Sequence, residues 1–196
     1  MPESSSFQLH AWVDESMRGV KESQGMYLLG AVVADPSECE PTRDELRAVL
    51  PKGARKLHWT DMEAREKKQV TGLVCGLNVA HMVVIGTPLD LRKQEKARAK
   101  CMERLLWELG EMEVSRVFLE HRTPSLNGRD MKLVEHLRGR QAMPKTLRVD
   151  IAQPSSEPML WIPDQMLGAM GDAEANDDGA WLELYDGAVH RIDIEF

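Results

Sequence analysis

Cysteine and aromatic residues are scarce in this sequence, and the gaps narrow the field before any motif is read. Its three cysteines, Cys39, Cys75 and Cys101, stand far apart with no C-x-x-C pair. Neither a disulfide framework nor a thiolate zinc site is expected, and buried thiols in a reducing compartment are the plain reading. No two histidines lie at helical ligand spacing. No apolar run approaches the roughly 18–20 residues of a spanning helix, so no membrane association is expected. The opening residues Met1–Ser6 are polar and serine-rich, without the basic start and apolar stretch of a signal peptide. A cytoplasmic protein is the expectation. Internal repeats and low-complexity tracts are absent as well.

What is present suits one globular unit. A chain of 196 residues with 42% hydrophobic composition can fill a single core. The expected organisation is a disordered start over 1–6, one domain over 7–172, and an acidic extension over 173–196 packed on or beside it. The net charge of −7 resides in the stretch 171–196, which includes that extension and holds eight acidic residues against Arg191 alone. The rest is balanced and contains two locally basic stretches. Arg92–Arg104 and Arg129–Arg148 each carry six Lys/Arg against two acids. Local rather than global charge governs phosphate contacts, so a polyanionic partner stays open. Ordinary solvated helix faces would look the same.

Periodicity supplies an alternating order of elements. Strands are expected over Leu9–Ser16 and Tyr27–Ala34, the pair forming an antiparallel hairpin with a long loop. Thr42 is placed to cap a short helix over Arg43–Leu50. Thr60 and Glu63 fit a capping box for a helix reaching Leu77. Further strands are read at Val79–Thr87, Val114–Arg122 and Leu147–Ala152, and helices at Asp90–Met112, Asn127–Arg140 and Met159–Met170. After the loop signal Asn176–Gly179 come a short helix at Ala180–Tyr185 and an alternating edge strand at Val189–Glu195. This order predicts an α/β fold, a mixed sheet with an antiparallel and a parallel side and helices on both faces.

Sites in open sheets gather at the carboxyl ends of strands. Two acids stand there, Asp14 in Trp12-Val13-Asp14-Glu15-Ser16 and Glu120 in Val117-Phe118-Leu119-Glu120-His121. A third, Asp164, opens a helix in Trp161-Ile162-Pro163-Asp164-Gln165. Acids embedded in apolar runs cost free energy unless paired, hydrogen-bonded or bound to a cation. Brought together they raise one another's pKa values, and a hard divalent ion such as Mg²⁺ or Mn²⁺ removes that cost. Ordinary roles are open to each acid too. Asp14 can cap a turn, Glu120 can pair with Arg122 or His121, and Asp164 can stabilise a helix start.

The strand end Val13-Asp14-Glu15-Ser16 resembles the first motif of the domain-of-unknown-function family 3800, a ribonuclease H-like group. So do Leu57-His58 in a loop, Phe118-Leu119-Glu120 on a strand, and the late helix opening Leu160-Trp161-Ile162-Pro163-Asp164. The similarity runs over about residues 9–172. It implies a ribonuclease H-like mixed sheet and a nuclease-type metal site built from Asp14, Glu120 and Asp164. The sequence departs from the family pattern at Met17, where glycine usually follows, and at Pro163, where a small residue is common. Proline is tolerated in a first helical turn.

With that triad the expected reaction is hydrolysis of phosphodiester bonds in RNA or DNA. Two ions about 3.5–4 Å apart would activate water and stabilise the leaving oxygen. Glu15 and Asp61 are candidates for additional metal or outer positions, and His58 for a proton shuttle or a loop histidine bonded to backbone. Lys56 or Arg122 could steady a phosphate. Trp12, Trp107 and Trp161 are expected in the core, while Trp59 could stack on a base or pack against a helix. The competing function is an inactive ribonuclease H-like platform binding nucleic acid or a protein partner, with the acidic tail docking a basic surface or shielding the basic stretches. An actin-like phosphotransferase is disfavoured, because no glycine-rich phosphate loop follows the first strand.

Overall fold

A computed structural model of the chain describes residues 8–19, 25–176, 182–185 and 187–196. The expected disorder at 1–6 and the loop at 177–179 fall outside these residues. Six strands form one sheet: β1 (Leu9–Arg18), β2 (Gly25–Ala34), β3 (Ala80–Leu89), β4 (Val114–Glu120), β5 (Arg148–Ala152) and β6 (Val189–Glu195). Five α-helices join them: α1 (Cys39–Ala48), α2 (Ala64–Cys75), α3 (Gln94–Glu111), α4 (Pro124–Gly139) and α5 (Trp161–Asn176). The strand order is β5-β4-β1-β2-β3-β6. Only β2 runs against its neighbours; β4 is parallel to β1 and β5, and β6 is parallel to β3. The expected α/β class, hairpin and edge strand are all present.

Every residue of β2 is buried, which is why its apolar run does not alternate. In β1 the two-residue period divides the strand between two cores. Ala11 and Val13 face α3 and α4 with Cys101, Leu105 and Val134. Trp12 faces α5 and the α1–α2 side with Met159, Ile162 and Met166. Helices therefore cover both faces. One close approach matters for the site. A Cβ on Gly30 would lie 2.8 Å from Leu167 Cδ2 and Met166 Cε. Glycine there lets α5 press onto β2 opposite Asp14, whose register partner is Gly30.

Element boundaries differ from expectation where local hydrogen bonding decides. Helix α1 begins at Cys39, behind a 3₁₀ turn at Pro36–Glu38 capped by Asp35, so Thr42 is inside the helix and caps nothing. The capping box of α2 is Glu63 with Glu66, because a 3₁₀ turn at Trp59–Asp61 occupies the position expected for it. Helix α4 begins at Pro124, with the Thr123 hydroxyl accepting from Leu126 N–H. Trp107 is 45% exposed, contrary to the core position expected for it. It lies on the outer side of α3, where the Arg104 guanidinium covers its ring. The last strand belongs to the sheet itself, along β3, and Phe196 seats its ring against Gly86. Residues 189–195 thus complete an edge, and the Lys100 ammonium from the basic stretch on α3 lies 5.7 Å from the centre of the Phe196 ring.

Candidate functional site

Asp14 and Glu120 share one face of the sheet because β1 and β4 are parallel; Glu120 ends β4, whereas Asp14 stands inside β1, which runs on to Arg18 beside β2, and not at the strand end expected for it. Val13 pairs with Leu119, so the next residue of each strand is the acid. Below them on this face Trp12 stacks on Phe118, with ring centroids 5.7 Å apart. The third acid arrives from α5. Asp164 lies in that helix's first turn, where the macrodipole favours an anion. Asp164 Oδ2 accepts from Trp59 N–H at 2.8 Å and from Gln165 Nε2 at 3.0 Å, while Oδ1 lies 3.0 Å from His58 Nδ1. Glu120 Oε1 accepts from Lys56 Nζ at 2.9 Å. Asp14 Oδ1 accepts only the neighbouring Glu15 N–H, at 2.7 Å.

The electrostatics follow from this grouping. Burial pushes the Asp14 carboxyl well above the usual carboxylate range, and the charges of Glu120 and Asp164 push it further. Lys56 pulls in the opposite direction without cancelling them. The Lys56 ammonium loses from burial but gains more from its hydrogen bond to Glu120 and from the three carboxylate charges, so its pKa lies above the ordinary lysine value. His58 is raised as well, first by its hydrogen bond to Asp164, against the pull of burial.

Of the other residues singled out in the sequence, several land elsewhere. Glu15 points to the opposite face, as alternation requires. There Arg98 Nη1 lies 2.7 Å from Glu15 Oε2, Arg122 Nε lies 2.8 Å from Oε1, and the Tyr27 hydroxyl donates to the same carboxylate. Arg98 also holds Asp130 through two bonds of 2.9 and 2.8 Å, and Arg122 holds Glu95 at 2.6 Å. Arg122 therefore serves this cluster and does not pair with Glu120. His121 takes no part in neutralising Glu120 either; its N–H donates to Ala152 C=O. Asp61 is exposed in the turn after His58, to whose carbonyl its backbone N–H donates at 3.0 Å, and its carboxylate acts on the imidazole only through its charge. Trp59 is 2% exposed, and its indole N–H donates to Asp172 at 2.8 Å. With its ring against Gly168 and the Lys67 ammonium over it, Trp59 packs against α5 and offers no face to a base.

Sequence reasoning missed Arg98, Asp130 and Tyr27. Arg98 was read as part of a solvated basic stretch, yet it is 4% exposed. The signal was spacing: Arg98 precedes Cys101 and Leu105 by three and seven residues, on the buried side of α3. Asp130 likewise precedes Val134 and Leu137 on α4.

The donor set suits a hard divalent ion in its chemistry. Three carboxylates converge on one face, and among the described residues no hydrogen bond reaches Asp14 Oδ2 or Glu120 Oε2. As arranged, however, no three Asp, Glu, His or Cys side chains among the described residues lie close enough to enclose a metal ion. The hollow lined by Asp14, Glu15 and Glu120 is lined also by Arg98, His121 and Arg122 but not by Asp164, and holds about 70 Å³, room for a water but not for a nucleotide. A roomier cavity of about 460 Å³ lies apart from the acids, between the end of β3, α3 and Phe196.

No family model matches the chain, and no curated protein does. Solved structures do match. A chain of the PCNA:RNase HII complex from Archaeoglobus fulgidus aligns with TM-score 0.54 and 14% identity, over 91% of this chain and 78% of that one. Ribonuclease H2 from Pyrococcus horikoshii aligns with TM-score 0.47 and 13% identity, over 92% and 78%. Among the described residues no helix is long and apolar enough to cross a membrane. With its six-stranded mixed sheet covered on both faces, the chain has an α/β fold of the ribonuclease H-like kind.

Proposed function

We propose that the protein is a divalent-metal-dependent hydrolase of phosphodiester bonds in nucleic acid, RNA or DNA, working in the cytoplasm. The observation that carries this reading is the Asp14 carboxyl. Its negative charge is disfavoured by burial and by two more acids, and it stands where the parallel pairing of β1 with β4 stops, in a ribonuclease H-like sheet. A protein that gains nothing in stability from such a charge has a reason to keep it when a cation binds there. Kinship with the domain-of-unknown-function family 3800 belongs to the same proposal, resting on the motifs around Asp14, His58, Glu120 and Asp164.

Asp14, Glu120 and Asp164 would hold Mg²⁺ or Mn²⁺. When bound, the ion would lower the pKa of a water and draw charge from a phosphoryl oxygen. The chain's own residues supply the rest. The Trp59 N–H, Gln165 and His58 fix the rotamer of Asp164. His58 is 39% exposed in its side chain and uses Nδ1 on Asp164, which leaves Nε2 to carry a proton to a leaving oxygen. The small hollow leaves the substrate backbone lying across an open surface. Glu15 is held by two arginines, and Asp61 stands outside the group, so neither is assigned to the ion.

The binding of Glu120 by Lys56 and of Asp164 by His58 favours a second reading, an inactive platform for nucleic acid or a protein partner. One experiment separates the two. Labelled single-stranded, double-stranded and hybrid nucleic acids are incubated with the protein and Mn²⁺. The enzyme reading expects cleavage that Asp14→Asn reduces at least ~100-fold, about 2.7 kcal/mol of transition-state stabilisation. Binding without cleavage, unchanged in Asp14→Asn, establishes the platform instead.

A further inference from the structure

We infer that the cavity between the end of β3, the start of α3 and Phe196 is a nucleotide-binding site, separate from the acids. It takes the phosphate on Lys96 and Lys100 and lays the base on an apolar wall. The choice of a nucleotide among organic anions rests on the nucleic-acid reading above; the site itself needs no metal. Lys93, Lys96 and Lys100, spaced by three and four residues, share one face at the opening of α3, with the small, buried Ala97 among them. All three lysines line the cavity, whose volume of about 460 Å³ suits a small organic ligand. The remaining wall is apolar, formed by Pro88 and Leu89 from the end of β3 and by the Phe196 ring. Phe196 is fixed there by its N–H, which donates to Thr87 C=O at 3.0 Å, and by the seating of its ring against Gly86.

Three like charges on one helix face repel one another, and little in the chain offsets them. Asp90 is the one acidic side chain lining the cavity. It lies 3.7 Å from Lys93 Nζ and also accepts from the N–H and the side chain of Arg92. Among the described residues no carboxylate pairs with Lys96 or Lys100, both exposed. Glu95, an acid of the same helix, is turned away onto Arg122 at 2.6 Å. Arg98 shows what a structural cation on α3 looks like: it is buried and paired with Glu15 and Asp130. Lys96 and Lys100 lack such partners, and a phosphate between them would gain two charge-assisted donors beside the positive end of the helix dipole. A base attached to that phosphate reaches the apolar wall, where Phe196 offers a ring for stacking. Because β1, β3 and β4 all run opposite to β2, the cavity lies at the same end of the sheet as Glu120. The nucleotide held there is either free or part of a strand that crosses that end.

Calorimetric titration of the whole protein in EDTA, which keeps divalent ions out, tests the site with thymidine 5′-monophosphate, inorganic phosphate and thymidine. The mononucleotide should bind at least ~10-fold more tightly than either part, because only it reaches both walls. Lys96→Gln combined with Lys100→Gln should weaken it at least ~10-fold, whereas the paired Lys→Arg changes, which keep both charges, should stay within ~3-fold of wild type. Lys145→Gln, far from the cavity, should leave the affinity unchanged. Near-ultraviolet circular dichroism confirms that the variants are folded, and in the wild type the amide NMR signals of Lys96, Lys100 and Phe196 should shift on titration. A 5′-phosphorylated oligothymidylate then identifies the source: displacement of the mononucleotide assigns the site to a strand, no displacement to the free nucleotide, and either upholds it. No binding of the mononucleotide, equal affinity for inorganic phosphate, or an affinity unchanged by the paired Gln changes overturns the site and leaves the hydrolase reading to its own cleavage test. Nucleotide binding retained by a protein that cleaves no strand overturns that reading and not this site.

Discussion

Asp14 and Glu15 are consecutive in β1, yet the clusters they seed on opposite faces of the sheet are neutralised to different degrees. Around Glu15, three acids (Glu15, Asp130 and Glu95) meet two arginines in ion pairs of 2.6–2.9 Å, with the Tyr27 hydroxyl as a further donor. Around Asp14, three acids meet one lysine, bound to Glu120, and one histidine, bound to Asp164, and among the described residues Asp14 itself has no cationic partner in contact. The first cluster is closed: each carboxylate has an arginine, and Arg98, on α3, is buried against Asp130 of α4. The second is open to a further cation. The two clusters have equal numbers of acids and differ in their supply of positive charge, and the proposed role of the second as a metal site rests on that shortfall.

The largest expected effect belongs to the closed cluster. Arg98→Met strands Asp130 and Glu15 without their main partner and should cost ~3–5 kcal/mol in urea denaturation. A loss below ~1 kcal/mol would show that Arg122 alone can satisfy the group, and would erase the contrast drawn above. Adding Asp130→Leu to Arg98→Met removes the stranded charge and should recover at least half of the loss. A double variant no better than the single one would mean that packing, not charge, was lost.

Smaller effects are expected at the open cluster, and of opposite sign. Because the folded Asp14 carboxyl has a raised pKa, its neutral form is the one folding favours. That contribution is full below the ordinary carboxylate pKa and is lost as pH rises through the folded value. Without added divalent ion, Asp14→Asn should therefore raise Tm at pH 7.5 by ~2–4 °C, the shift that about 1 kcal/mol produces in a domain of this size. At pH 3 the two melts should coincide. A variant less stable than wild type at pH 7.5 would show that Asp14 is already neutralised. Next, Asp164→Asn should bring the His58 pKa down toward its ordinary value in a proton NMR titration, since Asp164 is the main cause of the rise. The least effect belongs to Trp107→Gln, within ~0.5 kcal/mol, because that ring is nearly half exposed.

Much of this contrast was legible in the residues, and what was not has a physical reason. The acids on β1 and β4 could be named because these strands carry their own periodicity and Asp164 sits at a helix opening, although β1 runs on past Asp14 to Arg18. The partners of Glu120 could not be. Arg122 and His121 are near in sequence, whereas Lys56 comes from a loop 64 residues away. Trp59 shows the same limit. Its polar neighbours suggest an accessible ring, but Gly168 on α5 makes room for it inside the core.

The sequence by itself determined the α/β class, the hairpin, the edge strand and the identity of the acids, because these rest on local periodicity and on the chemistry of each side chain. Pairwise neutralisation was decided only by tertiary structure. Which face Glu15 serves, why Arg98 is buried, and that Lys56 pairs with Glu120 all depend on how helices and loops distant in sequence dock onto the two faces of one sheet. Charge interactions fall off over a few ångströms, and only the packed fold sets those distances.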